Sequence, residues 1–182
     1  MMVDLTRRKK QKLVFVEIDI RKLINDTIES LSRLDGAYRL KFNVEVEEKF
    51  PFFCDETQLS GICENIISNA IKHQHAYETS PKLDISVLVN DTKATFTFRD
   101  NGVGIPKEEL SKIFDMFFRG EKTRTDGAGL GLYVVKEIVK KLKGKIYVDS
   151  EVGEGSQFVI ELPNKIDPDF LRKLKRLKND AD

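Results

Sequence analysis

Two pairs of neighbouring strand patterns constrain the fold of this chain more than any other feature of its sequence. Apolar and polar residues alternate over about 82–90 and again over about 93–100, and the Asn90-Asp91 step between them is a typical hairpin turn. A second pair of strand patterns follows near the end of the chain. Strands joined by so few residues pair antiparallel, because a parallel crossover needs about a dozen residues or more. The pattern therefore argues against a βαβ repeat and predicts that the closing strands run antiparallel.

Apolar residues spaced at helical intervals predict three amphipathic helices between the strands. Asp19 caps the first helix, over about 20–34, and Asp55 opens the second, over about 55–74. The remaining predicted elements are a helix over about 130–142, strands over about 12–18, 40–46, 145–150 and 157–162, a short helix over about 106–114, and a basic amphipathic tail helix over about 167–178. The tail helix is expected to pack on its own domain, and binding to a partner is the alternative.

The composition excludes several classes of protein. The 182 residues carry a net charge of +1, which argues against a nucleic-acid-binding protein. Two cysteines are too few for a disulfide framework or a four-cysteine zinc site, and they indicate a reducing compartment. No apolar run approaches the roughly 18 residues of a membrane span. We expect one mixed domain over 12–163, between a leader (1–11) and a basic tail (164–182). We also expect a cytoplasmic location, no nucleic-acid partner and no membrane contact by this chain.

Glycines cluster in the second half of the chain, where nine of the eleven lie between Gly102 and Gly155. Some of them are expected to serve only as turns between strands. The spacing around Gly127, G-x-G-x-G after a charged loop, differs from the dinucleotide fingerprint, and no Walker-type phosphate loop is present. Gly131, however, leads directly into a predicted helix. A glycine-rich helix entry presents free backbone N–H groups to an anion, so the pattern favours a phosphate ligand.

Polar side chains form a stripe beside the apolar arc of the second helix. Asn65, Asn69 and His73 follow one another at intervals of four residues, with Lys72 next to them. Carboxamide oxygens are hard ligands that suit Mg²⁺ together with phosphates, although a solvated helix face would show the same pattern. Asp100 ends a predicted strand, where its carboxylate would either accept a hydrogen bond from an amino group such as that of adenine or simply initiate a turn.

The order of five segments along the chain closely resembles the ATP-binding catalytic domain of sensor histidine kinases. This domain belongs to the superfamily of gyrase, heat-shock chaperone, histidine kinase and mismatch-repair ATPases. The resemblance covers about residues 13–163, and the segments that carry it are Asn65–Lys72, Asp100–Ile105, Phe114–Arg119, Gly127–Leu132 and Gly153–Ser156. It implies a two-layer α/β (α+β) sandwich in which helices cover one face of a mixed, largely antiparallel sheet. ATP and Mg²⁺ would lie between the helices and a flexible lid.

The resemblance also implies roles for individual residues. By this similarity Asn69 ligates Mg²⁺, Asn65 supports it, and Asp100 reads the adenine amino group. Lys72 and Arg119 would lie near the triphosphate, with Lys122 and Arg124 as further candidates. The other nucleotide-binding positions are His73, Gly102, Gly104 and Ile105 around the base, Phe117 and Phe118 at the start of the lid, Gly127, Gly129, Leu130 and Gly131 at its far hinge, and Ser156 behind the adenine.

Catalytic roles are implied for Asn65, Glu64 and Arg119. In ATP-hydrolysing relatives a glutamate stands four residues before the Mg²⁺-binding asparagine and activates water, and here that position is Asn65. This difference favours transfer to an acceptor over hydrolysis. Glu64 lies about 100° further round the helix. It either assists a histidine acceptor as a base or is a solvated surface residue.

The implied acceptor is a histidine on a dimerisation hairpin of the same full-length kinase, with a response regulator as an indirect partner. The only two histidines, His73 and His75, lie beside the ATP helix, and neither suits the acceptor role. The chain therefore reads as the catalytic half of a kinase whose full-length form is either membrane-anchored or not. The alternatives are an ATP-hydrolysing conformational switch, a serine kinase of the anti-sigma type, and a non-catalytic nucleotide sensor.

Overall fold

The computed structural model describes residues 12–120 and 128–179. Its strands are β1 Val16–Glu17, β2 Lys41–Glu48, β3 Phe53–Cys54, β4 Lys82–Val89, β5 Lys93–Asp100, β6 Lys145–Glu151 and β7 Gly155–Pro163. Its helices are α1 Ile20–Leu31, α2 Glu56–Lys72, α3 Gly131–Lys141 and α4 Pro168–Asn179, with a 3-10 turn at Ala37–Arg39. Within these ranges no helix combines the length and apolar character needed to cross a bilayer.

Five strands form one mixed sheet in the order β2-β4-β5-β7-β6. The strand pairs β4–β5, β5–β7 and β6–β7 are antiparallel, as the two hairpin patterns predict. Only β2 pairs parallel with β4, because α2 lies between them in the chain and provides the crossover. The short strands β1 and β3 pair separately. The predicted mixed, largely antiparallel sheet is thereby confirmed.

Burial alternates along the strands and defines two layers. On β4, Leu83, Ile85 and Val87 are buried while the residues between them are exposed or half-buried. Phe96 and Phe98 of β5 continue the buried face, which belongs to one core with α1, α2 and α3. The opposite face carries the polar positions of each strand. Period-2 alternation of this kind requires that one face of the sheet be covered and the other solvated.

Side-chain caps fix where the first two helices begin. The Asp19 carboxylate accepts from the Lys22 N–H at 2.9 Å, and the Asp55 carboxylate accepts from the Gln58 N–H at the same distance. Each cap satisfies one of the donors that the first turn leaves unpaired, which is worth about 1 kcal/mol. Both predicted helix starts are confirmed within one residue.

Two predicted elements differ in the structure. Residues 106–114 form consecutive turns and not a helix, with bonds from the Glu109 N–H to the Pro106 carbonyl (2.9 Å) and from the Lys112 N–H to the Glu109 carbonyl (2.8 Å). So short a segment gains too few i→i−4 bonds to offset helix nucleation. The predicted strand over 12–18 is reduced to Val16–Glu17, because the Val14 N–H binds the Asp55 carboxylate at 2.8 Å and not a neighbouring strand.

The tail helix α4 and the residue Asn164 before it contact β3 and the turn between β4 and β5. The Asn164 amide donates to the Pro51 and Asn90 carbonyls at 2.8 and 3.0 Å, which ties the end of β7 to two loops. The ring of Phe170 then meets that of Phe53 edge-on, at 6.2 Å between centroids. Lys175 pairs with Asp91. The tail therefore has specific contacts with the loops around the sheet.

Candidate functional site

Two asparagine side chains of α2 face the first residue of α3. The Asn65 Nδ2 group donates a 2.7 Å hydrogen bond to the Gly61 carbonyl, one turn earlier, which leaves the Oδ1 atom for other contacts. A Cβ atom placed on Gly131 would lie 3.1 Å from Asn65 Oδ1 and 3.7 Å from Asn69 Oδ1. The structure thus brings the two carboxamide oxygens to the start of α3, and the absence of a side chain at Gly131 leaves room between them.

The N-terminus of α3 offers backbone donors to an anion. Leu130 precedes the helix without a side-chain cap, and the first intrahelical bond runs from the Val134 N–H to the Leu130 carbonyl at 2.9 Å. The N–H groups of Gly131, Leu132 and Tyr133 therefore have no acceptor within the helix. With the positive end of the helix dipole beside them, they suit a phosphate group.

The backbone on either side of residues 121–127 is tied together at one point. The Phe117 N–H donates to the Gly129 carbonyl at 3.0 Å, and both residues have left-handed φ angles, 66° and 65°. A Cβ on Gly129 would lie 2.6 Å from the Phe118 carbonyl oxygen, so only glycine fits there. The segment implied as a lid therefore begins and ends at one anchor, which is the hydrogen bond between Phe117 and Gly129.

The predicted lid residues are only partly described. Phe117 is 61% exposed, and Phe118 is half-buried against the core. Arg119, the next residue in the chain, is exposed. Gly127, together with Lys122 and Arg124, lies outside the described residues.

A second group of polar atoms lies where β5 ends beside β7. Asp100 Oδ1 accepts the Gly102 N–H at 2.8 Å and the Ser156 N–H at 3.3 Å, and the sheet register places Asp100 directly opposite Ser156. Burial raises the pKa of Asp100, although these backbone donors act in the other direction. The two bonds fix the carboxylate through one oxygen, so the Oδ2 atom is the one that can accept a donor from a ligand.

The loop after Asp100 lies against the end of α2. The Val103 N–H donates to the His73 carbonyl at 3.0 Å. Gly104 has φ +69°, and a Cβ there would lie 2.0 Å from the Glu151 carbonyl oxygen, which no other residue would tolerate. Burial lowers the pKa of His73, and the charge of Lys72 lowers it further. A neutral, half-buried imidazole is therefore favoured beside the Asp100 loop.

Sequence reasoning missed Ser150, which holds the far end of this loop. The Ile105 N–H donates to Ser150 Oγ at 2.8 Å, and Ser150 is buried. A signal was present in the alternation of β6, where Ile146 and Val148 point inward and Ser150 occupies the next inward position. A hydroxyl at a core position requires a partner, and here the partners belong to the site.

The structure does not bring Glu64 to the asparagine site. Glu64 lines a groove of about 210 Å³ between α1 and α2, together with Glu56 and Ser60. Asn65 faces α3 instead, because one residue turns the helix by about 100°. Lys72, the last residue of α2, is exposed, and nothing in its described contacts ties it to Asn69 or Gly131.

A family model described as "Histidine kinase-, DNA gyrase B-, and HSP90-like ATPase" matches residues 54–166 of the chain. The match begins just before α2 and ends just after β7. It therefore includes the asparagine stripe, the Asp100 loop and the N-terminus of α3.

Individual relatives agree with the family match. The chain is 34% identical over 160 residues to "Sensor protein RprX" of Bacteroides fragilis (strain YCH46), which covers 86% of this chain but only 31% of that protein. Among solved structures it resembles the mycobacterial sensor histidine kinase MprB, with a TM-score of 0.68, 26% identity, and coverage of 85% of this chain and 100% of that chain. It also resembles the Acinetobacter baumannii histidine kinase AdeS, with a TM-score of 0.70, 25% identity, and coverage of 90% and 74%. The chain thus spans about a third of its curated relative RprX.

Proposed function

This chain belongs to the family of histidine kinase-, DNA gyrase B- and HSP90-like ATPases, and from that premise we propose that it is the ATP-binding catalytic domain of a sensor histidine kinase. In the proposed reaction, the γ-phosphoryl group of ATP moves to a ring nitrogen of a histidine on a helical dimerisation hairpin of the full-length protein. The phosphoryl group then passes to a response regulator. The relatives named as sensor proteins and histidine kinases support this assignment.

The observation that carries the proposal is the position of Asn65 and Asn69 opposite the uncapped start of α3. Amide oxygens attract a cation, whereas free N–H groups attract an anion. A magnesium-bound triphosphate presents both charges within a few ångströms. Asp100 adds an acceptor for the amino group of adenine, so the described residues offer partners for both ends of ATP.

The residues present fit a magnesium ion that arrives with its nucleotide. Among the described residues no group of three or more His, Cys, Asp or Glu side chains could hold a metal alone. Asn69 would hold the ion through Oδ1, and Asn65 Oδ1 would support it, with phosphate oxygens completing the shell. When bound, the ion would neutralise charge on the phosphates.

The chain's own groups then position the nucleotide. The first N–H groups of α3 bind phosphate oxygens, and Asp100 holds the base through Oδ2. Arg119, which follows the Phe117–Gly129 hydrogen bond by two residues, supplies positive charge near the transferred group, where charge develops in the reaction. No glutamate stands in the position of Asn65 to activate water, so hydrolysis is slow. Glu64 is left out of the site because it faces α1.

The decisive experiment combines the purified chain with MgATP and a separately purified histidine hairpin from the same kinase. We expect ATP to bind, the chain alone to take up almost no phosphate, and the hairpin to acquire acid-labile phosphate. Labelling is expected to be weak, since tethering and its roughly millimolar effective concentration are lost.

Three other results would contradict the proposal. Acid-stable phosphate on a partner would indicate a serine kinase, and brisk hydrolysis without labelling would indicate a conformational switch. Stoichiometric labelling of His73 or His75 would show that the chain carries its own acceptor.

A further inference from the structure

The Ser150 hydroxyl connects the loop after Asp100 to the β6–β7 pair. Its Oγ atom lies 2.8 Å from the Ile105 nitrogen, 2.8 Å from the Gly155 carbonyl oxygen and 2.9 Å from Ser156 Oγ. Ser150 is only 8% exposed, so bulk water does not compete for these bonds. None of the roles proposed above includes this residue.

The three neighbours determine where the hydroxyl protons point. A serine hydroxyl has one proton and two acceptor lone pairs. The Ile105 N–H can only donate and the Gly155 carbonyl can only accept, so the Ser150 proton must point to Gly155. Otherwise two acceptor oxygens would face each other at 2.8 Å with no proton between them. The remaining lone pair of Ser150 accepts the proton of Ser156, and all three neighbours are then satisfied.

In this arrangement the Ser156 hydroxyl can only accept a hydrogen bond from any further group, such as one on a ligand. Its proton is committed to Ser150, so its oxygen offers only a lone pair. Ser156 lies opposite Asp100 across the β5–β7 pair, and its N–H holds Asp100 Oδ1 at 3.3 Å. The inner end of the proposed base site therefore presents acceptors and no free hydroxyl donor.

We propose that Ser150 is a positioning residue that makes this site select an amino group over a carbonyl oxygen at position 6 of the purine. The inference rests on the proposed function, since it concerns the base of the bound nucleotide. An amino group can donate to both Asp100 Oδ2 and Ser156 Oγ, whereas a carbonyl oxygen in its place would face only the lone pairs of these two atoms. Selectivity arises from the unpaired, mutually repelling groups that the wrong base would create.

The test compares ATP with inosine triphosphate, which has a carbonyl oxygen in place of the amino group. Both nucleotides are titrated calorimetrically, with Mg²⁺, into the full chain and its variants. Ser150→Ala frees the Ser156 proton and leaves the Ile105 N–H unpaired. We expect the affinity for ATP to fall about tenfold and that for inosine triphosphate about twofold, so that the preference for ATP narrows about fivefold.

Two variants serve as controls. Ser150→Thr keeps the hydroxyl and should retain both the ATP affinity and the preference for ATP over inosine triphosphate. Ser86→Ala removes an exposed hydroxyl from β4 and should bind both nucleotides as the unaltered chain does.

An equal loss of both nucleotides in Ser150→Ala would show that the residue only holds the backbone, and it would overturn the proposal. Unchanged binding would overturn it too. If thermal unfolding shows that the alanine variant does not fold, Ser150→Cys is measured by the same criterion, because its thiol is a weak hydrogen-bonding group of similar size. Failure of the unaltered chain to bind ATP would instead refute the proposed function, and the Ser150 proposal with it.

Discussion

Replacing Gly131 with alanine should separate the stability of the domain from its ability to bind nucleotide. Gly131 opens α3 and is not among the described glycines with a positive φ, so alanine fits the backbone. Alanine in a helix is favoured over glycine by roughly 0.5–1 kcal/mol, with less at the first position. The new Cβ would, however, lie 3.1 Å from Asn65 Oδ1, so the amide must shift by a few tenths of an ångström.

That shift affects binding more than folding. The methyl group occupies the space between the two asparagine oxygens and the N–H groups of α3, where a magnesium-bound phosphate would lie. We expect MgATP affinity to fall about tenfold, which corresponds to about 1.4 kcal/mol, while the free energy of unfolding is unchanged or slightly higher. Calorimetric titration measures the first quantity and urea unfolding the second.

Gly61→Ala is the matched control for this prediction. Its Cβ would meet only the end of the Ile138 side chain, at 3.2 Å, on the same helix interface. It should alter stability by less than about 1 kcal/mol and leave MgATP binding as it was. Normal MgATP binding by Gly131→Ala, or an affinity that falls only in proportion to a loss of folded protein, would contradict the phosphate position beside Gly131.

Four other predictions concern adenine recognition, the pH dependence of stability, the metal and the thiols. Asp100→Asn should weaken ATP binding by about 1–3 kcal/mol. Burial raises the pKa of Asp100 above 3.8, so losing its proton costs more free energy in the folded domain than in the unfolded chain, and stability falls as pH rises from 3.8 through the raised pKa. Asp100→Asn should therefore unfold at a higher temperature than the unaltered chain at pH 7 but not at pH 3. Equal unfolding temperatures of the two proteins at both pH values would contradict this. Asn69→Ala should abolish Mg²⁺-dependent labelling of the hairpin without changing the unfolding midpoint, and retained labelling at saturating ATP would remove Asn69 as the ligand. Burial raises the thiol pKa of Cys54 and of Cys63 to about 12, so thiol reagents at pH 8 should modify them only after unfolding, and rapid modification of the native chain would disprove their burial.

Local signals made α2 and its asparagine stripe predictable. Asp55 caps the helix, apolar residues recur at its period, and the same period places Asn65 and Asn69 on one side. The hairpin β4–β5 was equally local, since its turn and its alternation lie within one short segment. Each of these features depends on residues that are close in sequence.

Features that depend on distant residues could not be predicted in the same way. The parallel pairing of β2 with β4 depends on how α2 crosses over the sheet, and the sequence of either strand is compatible with other partners. The direction of Glu64 depends on where α1 and α3 pack against α2. Ser150 reads as an ordinary strand residue until β7 and the Asp100 loop are placed against it.

The backbone bond between Phe117 and Gly129 has a consequence for how the domain tolerates changes in chain length. Once both ends of a segment are fixed at one point, the entropy cost of closing it grows only with the logarithm of its length, by about 0.6 kcal/mol for each doubling. Residues inserted after Arg119 should therefore cost little folding free energy, whereas Phe118, which packs against the core, should not tolerate deletion. The hydrogen bond between Phe117 and Gly129 would therefore allow the length of the chain between Arg119 and Ala128 to diverge, while the sheet, the helices and the core position of Phe118 stay the same.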